Sequence, residues 1–206
     1  MVRTLHETAL DNEFMAWNTA LALVPLFLAR LLFRDDASTG AWWWTGVVAW
    51  LLFLPNAPYV LTDSVHLLDD IRDSSDWHVY TGLLPVYGAF FLIGFASYVW
   101  SLRMAQRFAV SRGWGTSWFA IVMTIHALCA VGVYLGRFVR LNSWDVVTDP
   151  STVTATLDDL ARRFPLGIMA LTFVVLAVGT FVGNAVIAAT ADSATRVVRR
   201  LRAPLH

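Results

Sequence analysis

The stretch LGIMALTFVVLAVGTFVGNAVIAATA, residues 166–191, decides the fold. It carries no charged side chain until Asp192, and Thr172, Thr180, Asn184 and Thr190 are its only polar ones. A bilayer core takes about 20 consecutive apolar residues as a helix, whereas apolar runs of about 10–14 belong to buried helices of water-soluble proteins. Soluble helices also keep a polar face, and this stretch is apolar nearly all round. It is read as membrane-spanning. Working outward, four more stretches meet the same test: 14–33 with Asn18 and Pro25, 41–61 opening on Trp42, Trp43 and Trp44, 80–102, and 116–136. The expected fold is all-α: a polytopic transmembrane helix bundle of five spans in a single integral membrane domain over residues 1–206. Short amphipathic helices on the outer surface complete it. One of them covers 151–164, with Leu157, Leu160 and Ala161 on one side.

Composition agrees. The chain of 206 residues is 57% hydrophobic and 15% charged, against about 25% charged for soluble domains. Disorder needs the opposite balance. Fifteen basic residues, all Arg, offset fifteen acidic ones, so the basic surplus of a nucleic-acid binder is missing and no nucleic-acid partner is expected. A single cysteine, Cys129, excludes an internal disulfide and a thiolate metal cage. The start, MVRTLHE, lacks the pattern of a cleaved signal peptide, so the first span is expected to persist.

Arginines in short loops set orientation. With the N-terminus outside, nine lie inside (Arg30, Arg34, Arg103, Arg107, Arg112, Arg196, Arg199, Arg200, Arg202). Six lie outside (Arg3, Arg72, Arg137, Arg140, Arg162, Arg163). The bias favours N-out and C-cytoplasmic. Trp42, Trp43, Trp44, Trp100, Trp114 and Trp118 then all fall at the inner interface as an aromatic belt. The Arg196–Arg202 cluster is read as lying against anionic inner-leaflet lipid.

Polar residues in and beside the spans carry whatever chemistry there is. In FLPNAPY, residues 53–59, two prolines remove two backbone donors and disfavour helix before each. The second span is expected to break or unwind there, leaving carbonyls, Asn56 and Tyr59 to line a cavity. The alternatives are a plain helix exit, or a re-entrant segment that leaves four full crossings. Beyond it, Asp63, His66, Asp70 and Asp73 recur at helical spacing as one stripe, with Leu61, Val65 and Leu68 on another. Asp63 and His66, one turn apart, suit a divalent metal or a base with its orienting carboxylate. The plainer reading is an interfacial helix with a wet acidic face, capped by Thr62.

In GRFVRLNSWD, residues 136–145, Arg137 and Arg140 lie one turn apart. Two guanidinium forks so placed match a phosphate, or the carboxylates of Asp63 and Asp70 on the same side. Asn142 and Asp145 add polar handles. His126 stands at mid-span, where an ionisable group is by default a functional candidate. It shares a face with Ala130, Val133 and Arg137 that would run to an outer vestibule, or it is simply hydrogen-bonded to Asn18, Asn184 or a carbonyl. Gly132/Gly136 and Gly179/Gly183 allow close helix contact, within the fold or between copies in an oligomer.

Three of these blocks resemble a bacterial family catalogued as a domain of unknown function, number 1361: Trp17-Asn18 with Leu21 and Pro25, then 53–59 with Asp63, His66 and Leu67, then 136–138 with Arg140 and 142–145. The resemblance runs from about Trp17 to the last span. It implies a multi-pass protein of about this length in a bacterial inner membrane, and it brings no activity, cofactor or catalytic residue. The candidate ligand-binding set is therefore the residues' own: Asn56, Tyr59, Asp63, His66, His126, Arg137, Arg140, Asn142 and Asp145. Beyond the lipid bilayer, the expected partner is a lipid phosphate or a small ion. The favoured reading is small-ligand or ion binding or transport at an outward-facing polar site. The alternatives are a membrane enzyme acting on a lipid or lipid-linked phosphate, and a structural partner subunit. Gly-x-Ser-x-Gly, His-Glu-x-x-His and P-loop motifs are absent.

Overall fold

The computed structural model describes residues 5–73, 76–139, 148–149, 151 and 166–202. Among them all regular structure is helical. Helix α1 is Leu5–Leu32, α2 is Ala41–Phe53, and α3 is Asn56–Tyr59, which continues through a 3₁₀ turn (Val60–Asp63) into α4, Ser64–Asp73. The short α5 (Asp76–His78) and a π turn (Val79–Leu83) lead into α6, Leu84–Ser111. A 3₁₀ turn, Gly115–Ser117, opens α7 (Trp118–Tyr134), which closes in a π turn (Leu135–Val139); α8 is Leu166–Arg202. The amphipathic helix expected over 151–164 lies outside the described residues, save Ser151.

Five stretches are long and apolar enough to cross a membrane: Met15–Leu32, Ala41–Arg72, Val79–Ser111, Gly115–Val139 and Leu166–Ser193. They match the five expected spans. In their most apolar windows only 17–28% of residues are buried inside the protein, so most of the apolar surface faces outward, where only hydrocarbon makes it favourable. The chain is a multi-pass membrane protein.

The proline segment shows what these residues do at membrane depth. Leu54, Pro55, Tyr59 and Val60 all keep right-handed helical angles. The chain tightens here and stays helical, so the unwound cavity lining expected at 53–59 does not form. The Ala57 N–H bonds the Leu54 carbonyl at 3.2 Å, which leaves the Phe53 carbonyl without its usual donor. The Asn56 side chain supplies one, Nδ2 donating to Phe53 O at 2.9 Å. Asn56 thereby repairs the helix rather than opening it.

Packing relies on small residues and cross-helix hydrogen bonds, as expected where lipid removes the hydrophobic drive between helices. The hydroxyls of Ser97 and Ser101 on α6 donate to the α1 carbonyls of Ala22 (2.6 Å) and Pro25 (3.1 Å). The Trp50 indole N–H donates to Ser101 Oγ at 2.7 Å, fastening α2 to the same point. Around it lie Ala29, Leu54, Tyr98, Leu102 and Leu176, all buried. Three of the four glycines offered for oligomer contact meet neighbours inside the chain. A methyl on Gly132 would strike Pro55, one on Gly179 would strike Phe95, and one on Gly183 would press on Val99. Nor do all the tryptophans form a belt. Trp43 is buried, donates Nε1–H to Leu32 O at 2.8 Å, and stacks on Phe108 with centroids 5.3 Å apart; Trp42, Trp44, Trp100 and Trp114 are exposed. At this end α6 stops at Gly113, whose φ of +77° lets the chain turn back, Trp114 N–H bonding Ala109 O at 2.7 Å.

Candidate functional site

Asp63 is the centre of the polar site. The 3₁₀ turn after the two prolines carries its side chain inward, and its exposure is 0%. Each carboxylate oxygen meets a different helix. Asn18 of α1 donates Nδ2–H to Oδ2 at 3.1 Å, and Arg137, in the π turn closing α7, donates Nη1–H to Oδ1 at 3.2 Å. Burying a carboxylate in hydrocarbon is costly unless it is paired and hydrogen-bonded; here both conditions hold. Arg137 itself keeps 22% of its side chain exposed. It spends one hydrogen bond on Asp63 out of five guanidinium donors. The arrangement is a sealed carboxylate behind a partly open guanidinium.

Two members of the acidic stripe are turned inward rather than to a wet face. Asp63 and Asp70 are buried, and Val65 and Leu68, on the other stripe, are exposed. Asp70 Oδ2 accepts the Tyr87 hydroxyl of α6 at 2.9 Å. Thr62 does not cap a helix; its hydroxyl donates back to the Tyr59 carbonyl at 2.7 Å. The same helix keeps Asp69 and Arg72 exposed and paired with each other at 3.3 Å, so it shows polar as well as apolar side chains outward. His66 is exposed, within electrostatic reach of the Asp63 carboxylate. Among the described residues no group of three or more His, Cys, Asp or Glu gathers into a metal site. With the Arg137 cation already against Asp63, a second cation there is electrostatically opposed.

Among the remaining described candidates, His126 bonds elsewhere. Tyr59 is half-buried on α3. His126 is buried on α7, where Nδ1 and the Tyr98 hydroxyl of α6 share a hydrogen bond of 2.7 Å. Its partner is thus Tyr98 and not Asn18 or Asn184: Asn18 serves Asp63, and Asn184 Oδ1 accepts from Arg103 Nη1 at 2.9 Å. The face from His126 toward Arg137 is packed rather than open, because Ala130 and Val133 are buried. Arg140, Asn142 and Asp145 lie outside the described residues. Sequence reasoning missed Tyr87 and Tyr98 as polar partners and mistook the role of Asn18. One signal was available: a hydroxyl-bearing ring inside an apolar span needs a partner as much as a histidine does.

A polytopic helical membrane protein with a carboxylate–guanidinium pair buried between its helices is the class that fold and site define. Within that class the chain belongs to the family described as "Protein of unknown function (DUF1361)", which matches residues 17–178. The matched stretch includes Asn18, Asp63, Asp70 and Arg137. No curated protein and no solved structure matches the chain.

Proposed function

We propose that this protein binds a small anionic solute at the Arg137 end of the bundle, as the recognition step of membrane transport. The observation that carries this reading is the asymmetry of the pair: Asp63 is fully buried, while the edge of Arg137 stays exposed and, among the described residues, uses one donor, on Asp63. An arriving phosphate or carboxylate meets a guanidinium whose counter-charge is held behind it, and the two acids compete for one fork. The arginine bias of the loops supports placing this end on the outer side of a cell membrane.

Titration of the purified full chain with inorganic phosphate and with acetate tests the reading. Saturable binding of one of them is expected, lost in Arg137→Gln and weakened in Arg137→Lys, which keeps the charge but not the fork. Asp63→Asn removes the competing carboxylate and is expected to tighten binding several-fold. If Asp63→Asn leaves anion affinity unchanged or lower, competition at Arg137 is wrong.

A second reading has its own support: the pair joins α1, the 3₁₀ turn and the close of α7, as a lock in a structural subunit would. The exchanged pair Asp63→Arg with Arg137→Asp then recovers the folded yield that either single change loses, and no anion binds.

A further inference from the structure

A second polar feature lies away from the Asp63 site. Helices α6, α7 and α8 enclose a cleft of about 480 Å³ lined by Arg103, Gln106, Phe119, His126, Thr180 and Asn184, among others. That volume is in the range of about 300–1,000 Å³ usual for small-molecule sites. Phe119 and Phe181 line it yet are each 75% exposed. They stand at a mouth that opens sideways, toward the hydrocarbon that surrounds these spans.

Two polar groups in the cleft are incompletely used. Thr180 is 93% buried, at 7% exposure, and its hydroxyl oxygen has no hydrogen-bond partner. Other threonines of α8 satisfy themselves: Thr172 donates to Ile168 O, Thr190 to Ile187 O and Thr195 to Ala191 O. Thr180 forgoes that bond, although leaving a buried hydroxyl unpaired is costly. Arg103 is half-buried, and among the described residues it bonds Asn184 Oδ1 and no carboxylate. A guanidinium without a counter-charge at the edge of hydrocarbon calls for an anion. Asn184 orients it, and Thr180 lies one helical turn deeper, about 6 Å along α8.

We propose that this cleft holds one anionic phospholipid taken sideways from the adjoining leaflet. Its phosphate sits on Arg103 beside Asn184, an ester carbonyl accepts from the Thr180 hydroxyl, and an acyl chain enters between Phe119 and Phe181. The lateral mouth excludes a water-borne ligand as the natural occupant, and the uncompensated cation selects an anionic headgroup over a zwitterionic one.

Native mass spectrometry of the detergent-solubilised full chain, titrated with phosphatidylglycerol or phosphatidylcholine of matched chains, tests this. One phosphatidylglycerol is expected to be retained at about tenfold lower concentration than phosphatidylcholine. Arg103→Gln should abolish the difference, Ala177→Phe should fill the cleft and release both lipids, and the exposed neighbour Arg107→Gln should change nothing. Thr180→Val should weaken phosphatidylglycerol several-fold while leaving the fold intact. Equal retention of the two lipids overturns the proposal, as does an equal loss from Arg107→Gln and Arg103→Gln or no response to Ala177→Phe. Displacement of the lipid by inorganic phosphate at millimolar concentration overturns the lipid assignment.

Discussion

Removing Arg137 leaves Asp63 fully buried with a single neutral donor, Asn18. Breaking a buried ion pair from one side costs about 3–5 kcal/mol, because the surviving charge is stranded. Arg137→Gln should therefore destabilise by an amount in that range. Asp63→Asn strands less, since Arg137 is partly exposed and regains water; the loss of one charge-assisted bond there costs about 1.5–3 kcal/mol. The double variant carries neither charge, so its cost should fall short of the sum of the singles by about 2 kcal/mol. Unfolding of the detergent-solubilised protein by increasing SDS, followed by circular dichroism, measures all four corners of this cycle. Additivity within about 0.5 kcal/mol would mean the groups act independently, and the buried pair would have no energetic reality. A double variant as stable as the wild type would instead show that the pair costs the fold as much in desolvation as it returns.

Other positions test the packing directly. Ser101→Ala removes the acceptor of the buried Trp50 N–H and the donor to Pro25 O, and should cost about 1–3 kcal/mol in the same assay. Gly94→Ala drives a methyl into Val60 and the Ala57 carbonyl, an overpacking expected to cost about 1–3 kcal/mol. Gly88→Ala, on the same helix with open space around it, should be neutral or stabilise by about 0.5–1 kcal/mol. Tyr98→Phe leaves the buried His126 Nδ1 unpaired and should lower stability by about 1–3 kcal/mol, with the single substitution read by thermal aggregation as a check.

The spans were legible because bilayer thickness imposes a length and an apolarity that composition alone reveals: 166–191 needed no context. The polar interior was half legible. Topology offered Asp63 and Asp70 as partners of Arg137 and Arg140, with a phosphate ligand as the alternative; the structure pairs Arg137 with Asp63. Three features were not readable, each for a physical reason. The prolines looked like a break because backbone rules count lost donors; Asn56 restores one from its side chain, which periodicity does not register. Within the acidic stripe Asp63 and Asp70 are buried while His66 is exposed, a division set by which neighbouring helices supply partners and not by helical spacing. His126 found Tyr98 twenty-eight positions earlier, a pairing set by how α6 packs on α7 and by nothing local in either segment.

Hydrocarbon offers helices no hydrophobic reason to associate, so something else must hold these spans in register. The interfaces that α6 makes each carry a polar bond: Ser97 and Ser101 of α6 to α1, Trp50 of α2 to α6, Tyr98 to His126 between α6 and α7, Arg103 of α6 to Asn184 of α8. Four of these five bonds lie along α6 at positions 97, 98, 101 and 103, within two turns, and the fifth shares Ser101. Alpha6 is thus the post to which the other spans are tied, and its small residues let them come close enough for the bonds to form. Of the spans, α8 is held to α6 by the single Arg103–Asn184 bond together with glycine contacts at Phe95 and Val99. That bond lines the same cleft as the unpaired Thr180. A ligand that sits on Arg103 beside Asn184 therefore bears on the polar tie between α6 and α8.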